Sequence, residues 1–230
     1  MDHEQPLPRD NAAEEASYAR LREQMVRTQL TARHLSDARL LDAMAQVPRH
    51  HFVPPAARDD AYADRALPIG LGQTISQPYM VATMIAALRL QGHEKVLDVG
   101  CGSGYQAAVL SLLAREVIGI ERAPELVVRA RRLLAELGYD SVRVVEGDGS
   151  LGYPPEAPYD AIVVGAGAPE VPQPLVDQLA DGGRLVVPVG DRRLQRLTTI
   201  GRRGDRIIRH DGIDCVFVPL VGHRGWSLDH

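Results

Sequence analysis

The chain is poor in lysine, cysteine and aromatic residues. Lys95 is the only lysine in 230 residues, so almost all of the 26 basic side chains are arginine. That bias reads as the coding habit of a GC-rich genome rather than a recognition device. Two cysteines, Cys101 and Cys215, are too few for a disulfide framework. One falls in a glycine-rich turn and the other in a late strand, as expected of a chain working in a reducing cytoplasm. The first thirty residues hold no apolar run, so no secretory signal is expected. No window reaches 18 apolar residues, which excludes a membrane-spanning helix. The patterns H-E-x-x-H and C-x-x-C are missing. His50 and His51 are neighbours on what reads as an extended connector and would point to opposite sides, so no metal is expected. Ser76 is not framed as G-x-S-x-G and so is no hydrolase elbow. A net charge of −4 supplies no field for nucleic acid or an anionic membrane. Seven arginines between Arg192 and Arg209 alternate with apolar and acidic residues and read as solvated strand faces.

What is present is ordinary in bulk, 45% apolar and 24% charged, enough for one globular unit with a full core. The informative stretch is Val96-Leu97-Asp98-Val99-Gly100-Cys101-Gly102-Ser103-Gly104. It reads as a buried strand, a glycine turn and the start of a helix. Glycines let backbone amides approach a ligand, and the helix N-terminus adds a positive dipole end. A dinucleotide turn wants G-x-G-x-x-G, whereas Gly100, Gly102 and Gly104 stand as G-x-G-x-G, a spacing that suits S-adenosylmethionine better than a pyrophosphate. The alternative is a tight turn with no ligand.

Residues 1–12 are polar and read as a disordered tail. Residues 13–92 hold N-terminal helices and a loop. One amphipathic helix is expected from Glu14 to His34. A second, from Asp37 to Gln46, is capped by Ser36, with Leu40, Leu41 and Met44 on one face. An extended connector over 47–55 and a glycine-bearing loop over 66–77 follow. Next comes a helix from Pro78 to Leu90. Residues 93–230 read as an α/β core that forms one structural unit with 13–92. Strands are expected at 95–99, 116–121, 142–146, 160–164 and 184–189. Helices are expected at 105–114, 124–137 and 172–180, and β-type segments at 194–200, 206–210 and 213–218. Such alternation implies a Rossmann-like, mostly parallel sheet flanked by helices, with its ligand at the carboxyl ends of the strands. Glu121 ends the second strand, where a carboxylate can accept both ribose hydroxyls; the other reading is a solvated charge. Asp148, between Gly147 and Gly149, could accept from an adenine amino group or be a plain turn residue. Asp98 lies inside the apolar strand and needs a partner, either loop amides or a ligand ammonium group. Cys101 reads as a small filler beside the glycines.

The sequence resembles the protein-L-isoaspartate (D-aspartate) O-methyltransferase family from about Met25 to Val221. The matching runs are Val47-Pro48-Arg49-His50 with Phe52-Val53-Pro54, Leu67 to Gly70 with Gly72 to Tyr79, and Val96 to Leu110. Shorter runs are Gly147 to Gly149, Pro158 to Ile162, Gln178-Leu179 with Gly182-Gly183, and Pro188-Val189-Gly190. The glycine turn is shared by many S-adenosylmethionine enzymes; the run from Gly72 to Tyr79 is specific to this family.

The resemblance implies a repair enzyme that methylates the α-carboxylate of L-isoaspartyl and D-aspartyl residues in damaged proteins and peptides, with S-adenosyl-L-homocysteine as product. It places Ser76 at the reacting carboxylate, with Thr74, Ile75, Gln77, Val164, Gly167 and Ala168 around the substrate. Cofactor contacts are implied for Ile69, Gly70, Leu71, Gly72, Asp98, Gly100, Gly102, Gly104, Glu121, Arg122, Asp148 and Gly149. The match weakens at 221–226, which leaves cofactor contacts from that stretch open. A monomer without nucleic-acid or membrane partners is expected. The alternative is an aspartate O-methyltransferase acting on one dedicated partner peptide.

Overall fold

The computed structural model describes residues 12–227. The tail expected over 1–12 falls, except for Ala12, outside the described residues; Ala12 itself opens helix α1 (Ala12–Met25). The single helix expected to His34 ends early. A π turn (Val26–Leu30) and a 3-10 turn (Thr31–Arg33) finish the segment, and His34 closes it at φ 68°. Met25 and Leu30, five residues apart, are both buried, a spacing that a π turn brings onto one face. Helix α2 (Ala38–Gln46) is capped by Asp37, not Ser36. The Asp37 carboxylate accepts the amides of Arg39 at 3.0 Å and Leu40 at 3.3 Å.

The connector expected to be extended over 47–55 instead contains the 3-10 turn Arg49–Phe52 and leads into another, Pro55–Asp60. The first of these turns sends Arg49, His50 and Phe52 into the interior. It also sets the His50 and His51 rings side by side, with centroids 4.2 Å apart, rather than on opposite sides. The expected loop over 66–77 contains a hairpin, β1 (Leu67–Gly70) and β2 (Gln73–Ile75), in which Leu67 faces Ile75 and both are buried. Three apolar side chains, Leu67, Ile69 and Ile75, suffice to hold it down. Helix α3 (Pro78–Leu88) ends where Arg89 turns left-handed at φ 56°.

The main sheet runs in the order β5-β4-β3-β6-β7-β8-β9. Strands β3 (Lys95–Val99), β4 (Glu116–Glu121) and β5 (Val142–Glu146) have the expected bounds, and β6 (Tyr159–Val164) starts one residue early. Helices α4 (Tyr105–Ser111) and α5 (Pro124–Glu136) link the first three. Helix α6 (Gln173–Asp177) is shorter than expected because β7 (Leu179–Gly190) begins at Leu179. Strands β8 (Gln195–Arg203) and β9 (Arg206–Cys215) fold back antiparallel, so the segments expected at 206–210 and 213–218 belong to one strand and its exit.

β3 is buried on both faces. Val96 enters the core beneath α3 and α4, and Leu97 and Val99 enter the core on the other face. Each such side chain contributes about 1.5–3 kcal/mol of hydrophobic stabilisation. β3 pairs parallel with β4 on one side and β6 on the other, and the chain order reverses there. That reversal opens a crevice beyond the carboxyl ends of the strands.

Candidate functional site

The crevice holds a cavity of about 360 Å³, within the range of small-molecule sites. Its floor is the glycine turn. Gly100 donates its amide to Ile120 O at 2.8 Å, and Gly104 donates to Cys101 O at 2.8 Å, so the turn is tied to β4 and to itself. Gly104 stands at φ +88°, and a Cβ there would meet the Leu134 side chain at 3.1 Å. Only glycine brings this backbone so close to α5.

Glu121 ends β4 on the rim. Its carboxylate accepts the amides of Gly102 at 3.0 Å, Arg122 at 2.8 Å and Ala123 at 3.0 Å. Oε1 takes both the Arg122 and Ala123 amides, whereas Oε2 takes only Gly102 and keeps acceptor capacity for a ribose hydroxyl. Asp98 is wholly buried beneath the turn. Its Oδ1 accepts from Gln106 Nε2 at 2.8 Å, while Oδ2 has no hydrogen-bond partner. Burial pushes its pKa up to about 7; the Gln106 bond opposes that and nearby Glu121 adds to it. A buried carboxylate oxygen without a donor is costly and would suit an ammonium group, although Asp98 has no exposed surface and does not itself line the cavity. Cys101 is buried against Gly119, and desolvation raises its thiol pKa well above normal, which removes it as a nucleophile.

Beyond this cavity lie two more. A constriction of about 30 Å³ is lined by Gly100, Gly102, Tyr105, Thr74, Ile75 and Ser76. An outer cavity of about 250 Å³ is lined by Thr74, Ser76, Gln77, Met80 and the exit of β9 from Asp214 to Phe217. Thr74 lines all three, and Ser76 lines the inner constriction and the outer cavity. Ser76 therefore stands between the glycine turn and the outside.

A family model described as protein-L-isoaspartate (D-aspartate) O-methyltransferase matches residues 20–225. The chain belongs to this family. It is 54% identical over 212 residues to protein-L-isoaspartate O-methyltransferase 1 of Syntrophobacter fumaroxidans, covering 92% of this chain and 99% of that one. The protein of the same name from Methanoculleus marisnigri is 54% identical over 208 residues, covering 90% and 94%. Among solved structures, a protein-L-isoaspartate O-methyltransferase superposes with a TM-score of 0.80 at 29% identity, covering 89% of this chain and 67% of that one. A Plasmodium falciparum chain described under the same enzyme name, in complex with S-adenosyl-L-homocysteine, superposes with a TM-score of 0.72 at 28% identity, covering 86% and 96%.

Not every residue singled out in the sequence lines this family's crevice here. Leu71, Gly100, Gly102, Glu121, Arg122 and Gly149 do. Ile69 is buried against Gly102, and Gly70 lies beside Arg129, whose Nη1 donates to Ile69 O at 3.0 Å. Gly72 takes φ +70° in the hairpin turn. Asp148 turns away from the cavity: its Oδ1 accepts from Ser150 N at 2.9 Å, and its Oδ2 accepts the His223 amide at 2.7 Å. Of the loop after β6, Gly165 and Ala166 line the cavity, whereas Val164 and Ala168 are fully buried. Gly167 donates to Val218 O and accepts from Leu220 N, both at 2.8 Å, and accepts from Trp226 Nε1 at 2.9 Å.

That stitching brings Val218 to Val221 into the cavity wall, a part of the site that the sequence did not reveal. Of the stretch 221–226, where the sequence left the question open, Val221 lines the cavity. His50 and His51 line none of these three cavities. His50 stacks on Tyr18 at 4.0 Å, its Nδ1 lies 2.9 Å from the Tyr62 hydroxyl, and its Nε2 lies 3.2 Å from Glu15.

Proposed function

We infer that this chain is a protein-L-isoaspartate O-methyltransferase. It transfers the methyl group of S-adenosylmethionine to the free α-carboxylate of L-isoaspartyl and D-aspartyl residues in damaged proteins and peptides. The methyl ester then closes to a succinimide, whose hydrolysis restores part of the material to aspartate. The observation that carries this reading is the position of Ser76 between the glycine turn and an outer cavity, in a chain that belongs to the repair-methyltransferase family.

The chemistry asks little of the side chains. A carboxylate is already ionised at neutral pH, so no general base is needed. S-adenosylmethionine, when bound, supplies a methyl group on a positively charged sulfur. Asp98 would hold its ammonium group, Glu121 its ribose hydroxyls, and the backbone around Gly100 and Gly102 its amino-acid portion. Ser76 donates its hydroxyl hydrogen to one carboxylate oxygen and aims the other inward through the constriction. Positioning two bound partners in this way is worth several orders of magnitude in rate. Thr74 and Gln77 flank the substrate on the outer side.

The rest of the proposal is a monomeric, cytoplasmic enzyme with no nucleic-acid or membrane partner. Its support is threefold. Cys101 and Cys215 are free and buried. Three arginines of the late hairpin are engaged: Arg196 pairs with Asp214 at 3.2 Å, Arg209 with Asp211 at 2.9 Å, and Arg202 donates to Leu179 O at 2.8 Å. Among the described residues no helix is long and apolar enough to cross a membrane.

The test is methyl transfer from labelled S-adenosylmethionine to two peptides that differ only in L-isoaspartate or L-aspartate at one position. Transfer to the isoaspartyl peptide alone is expected. Transfer to the aspartyl peptide, or to neither while the cofactor still binds, would overturn the reading in favour of a dedicated partner peptide.

A further inference from the structure

Arg49 is the largest side chain in the described structure with no exposed surface. Its Nε donates to Ala61 O at 2.7 Å and its Nη2 donates to Ser76 O at 2.8 Å. The guanidinium carbon sits 4.8 Å from the centre of the Tyr105 ring. Nη1 is buried and has no hydrogen-bond partner. Among the described residues no carboxylate answers the charge. Burial lowers the pKa, and only the phenols of Tyr105 and Tyr62 pull it back up. Arginine nonetheless stays protonated. A whole positive charge is thus buried with an incomplete set of acceptors and no counter-ion, an arrangement that is expensive for a fold alone.

Its place explains the expense. Ser76 leaves β2 one residue before Gln77, the N-cap of α3, so its carbonyl lies outside the helical ladder. The wall of the constriction beside Ser76 is Tyr105, the same ring on which Arg49 stacks. Arg49 itself lines none of the three cavities described above. It sits one layer behind the surface that meets the substrate.

We propose that Arg49 is a positioning residue for methyl transfer: through the Ser76 carbonyl it fixes the bend that aims the Ser76 hydroxyl, and its uncompensated charge, one layer behind the Tyr105 wall, attracts the substrate carboxylate. This rests on the reaction proposed above. The two contributions act on different constants. A carboxylate loses its charge as it accepts a methyl cation, so a fixed positive charge stabilises the bound substrate more than the transition state. The charge therefore acts on KM. The hydrogen bond that fixes the bend acts on kcat.

The experiment compares Arg49→Lys, which keeps a charge and loses the fork, with Arg49→Gln, which loses the charge. Both are made in the wild-type chain and in a Ser76→Ala background. Cofactor affinity is read by calorimetry, and kcat and KM with the isoaspartyl peptide. Arg49→Lys is expected to lower kcat by about tenfold or more, the order of one hydrogen bond from a charged donor, with KM little changed. Arg49→Gln is expected to raise KM as well by about tenfold. In the Ser76→Ala background, Arg49→Lys is expected to change kcat by less than about twofold, because the two residues act as one unit. Cofactor affinity stays at the wild-type value in each.

Three results would overturn the proposal: wild-type kcat and KM in Arg49→Lys; full multiplication of the Arg49→Lys and Ser76→Ala effects; or a parallel loss of cofactor binding, which would reduce Arg49 to a fold-holding role. A wild-type enzyme inactive on the isoaspartyl peptide would count against the reaction itself, and is seen before any variant is made.

Discussion

The glycine turn after β3 and the bend at Ser76 both present backbone to the same crevice, yet they are held in opposite ways. The turn is supported from nearby in the chain. Gly104 bonds to Cys101, and the most distant hydrogen bond of the turn, Gly100 to Ile120, reaches only the next strand, β4. The Ser76 bend depends on Arg49, 27 residues upstream, and faces Asp214 to Phe217 from the far end of the sheet. The glycine floor of the cofactor cavity is thus a local device, while the bend that carries Ser76 is assembled by tertiary contact. Changes in the first should act on cofactor affinity, and changes in the second on turnover.

The largest separation is expected at Asp98. Asp98→Asn should weaken S-adenosylmethionine by about 100-fold, the order of removing one partner of a buried charge pair, as read by calorimetry. Titration gives the same comparison a second handle. The ionised form is the one that holds an ammonium group, and its pKa in the free enzyme is about 7. Cofactor affinity should therefore rise with pH through that value. At pH 6 it should be about tenfold below its plateau, and in Asp98→Asn this dependence should vanish. The stability effect has the reverse sign. A carboxyl with a raised folded pKa favours the fold below the ordinary carboxylate range, and that contribution is lost as pH rises through about 7.

Ser76→Ala is the complementary break. It should lower kcat for the isoaspartyl peptide by about 10- to 100-fold, the scale of one hydrogen bond to a charged group, with cofactor affinity within about twofold of wild type. A comparable loss of cofactor binding would erase the distinction between the two halves.

The smallest effect sharpens the boundary. Burial alone would raise the Asp148 pKa, but hydrogen bonds from the His223 amide and from Ser150 outweigh it and hold the group below its usual value. Its stabilising contribution is present above the ordinary carboxylate range and is lost as pH falls through the lowered folded pKa. Asp148→Asn should cost about 1 kcal/mol in denaturant unfolding and weaken the cofactor only a few-fold, since the carboxylate ties down the chain around His223 rather than facing the cavity.

The same contrast decides what could be read in advance. β3, β4 and β5 are legible to the residue because their β-branched runs are bounded by glycine turns or polar ends, all local signals. The turn at Arg49 is not, because what fixes it is the carbonyl of Ser76 and the ring of Tyr105, neither of which is near in sequence. The hairpin at 67–75 was disguised by its two glycines and became a strand pair through the burial of Leu67, Ile69 and Ile75. In the site, the glycines and Glu121 announce themselves by spacing. Val218 to Val221 carry no polar signature; they become cavity wall only through the stitch to Gly167. Asp148 shows the converse case, a residue whose setting between glycines suggests a ligand contact and whose carboxylate accepts the amides of Ser150 and His223.

That stitch has a consequence for the enzyme's synthesis. One wall of the cofactor cavity is made by residues 218–221, and the segment is pinned when Trp226 bonds back to Leu220 and Gly167. A growing chain can fold its glycine turn long before then, but it lacks a closed methyl-donor pocket until residue 226 has cleared the ribosome. The site that serves aged polypeptides thus becomes competent only after Trp226 has been made.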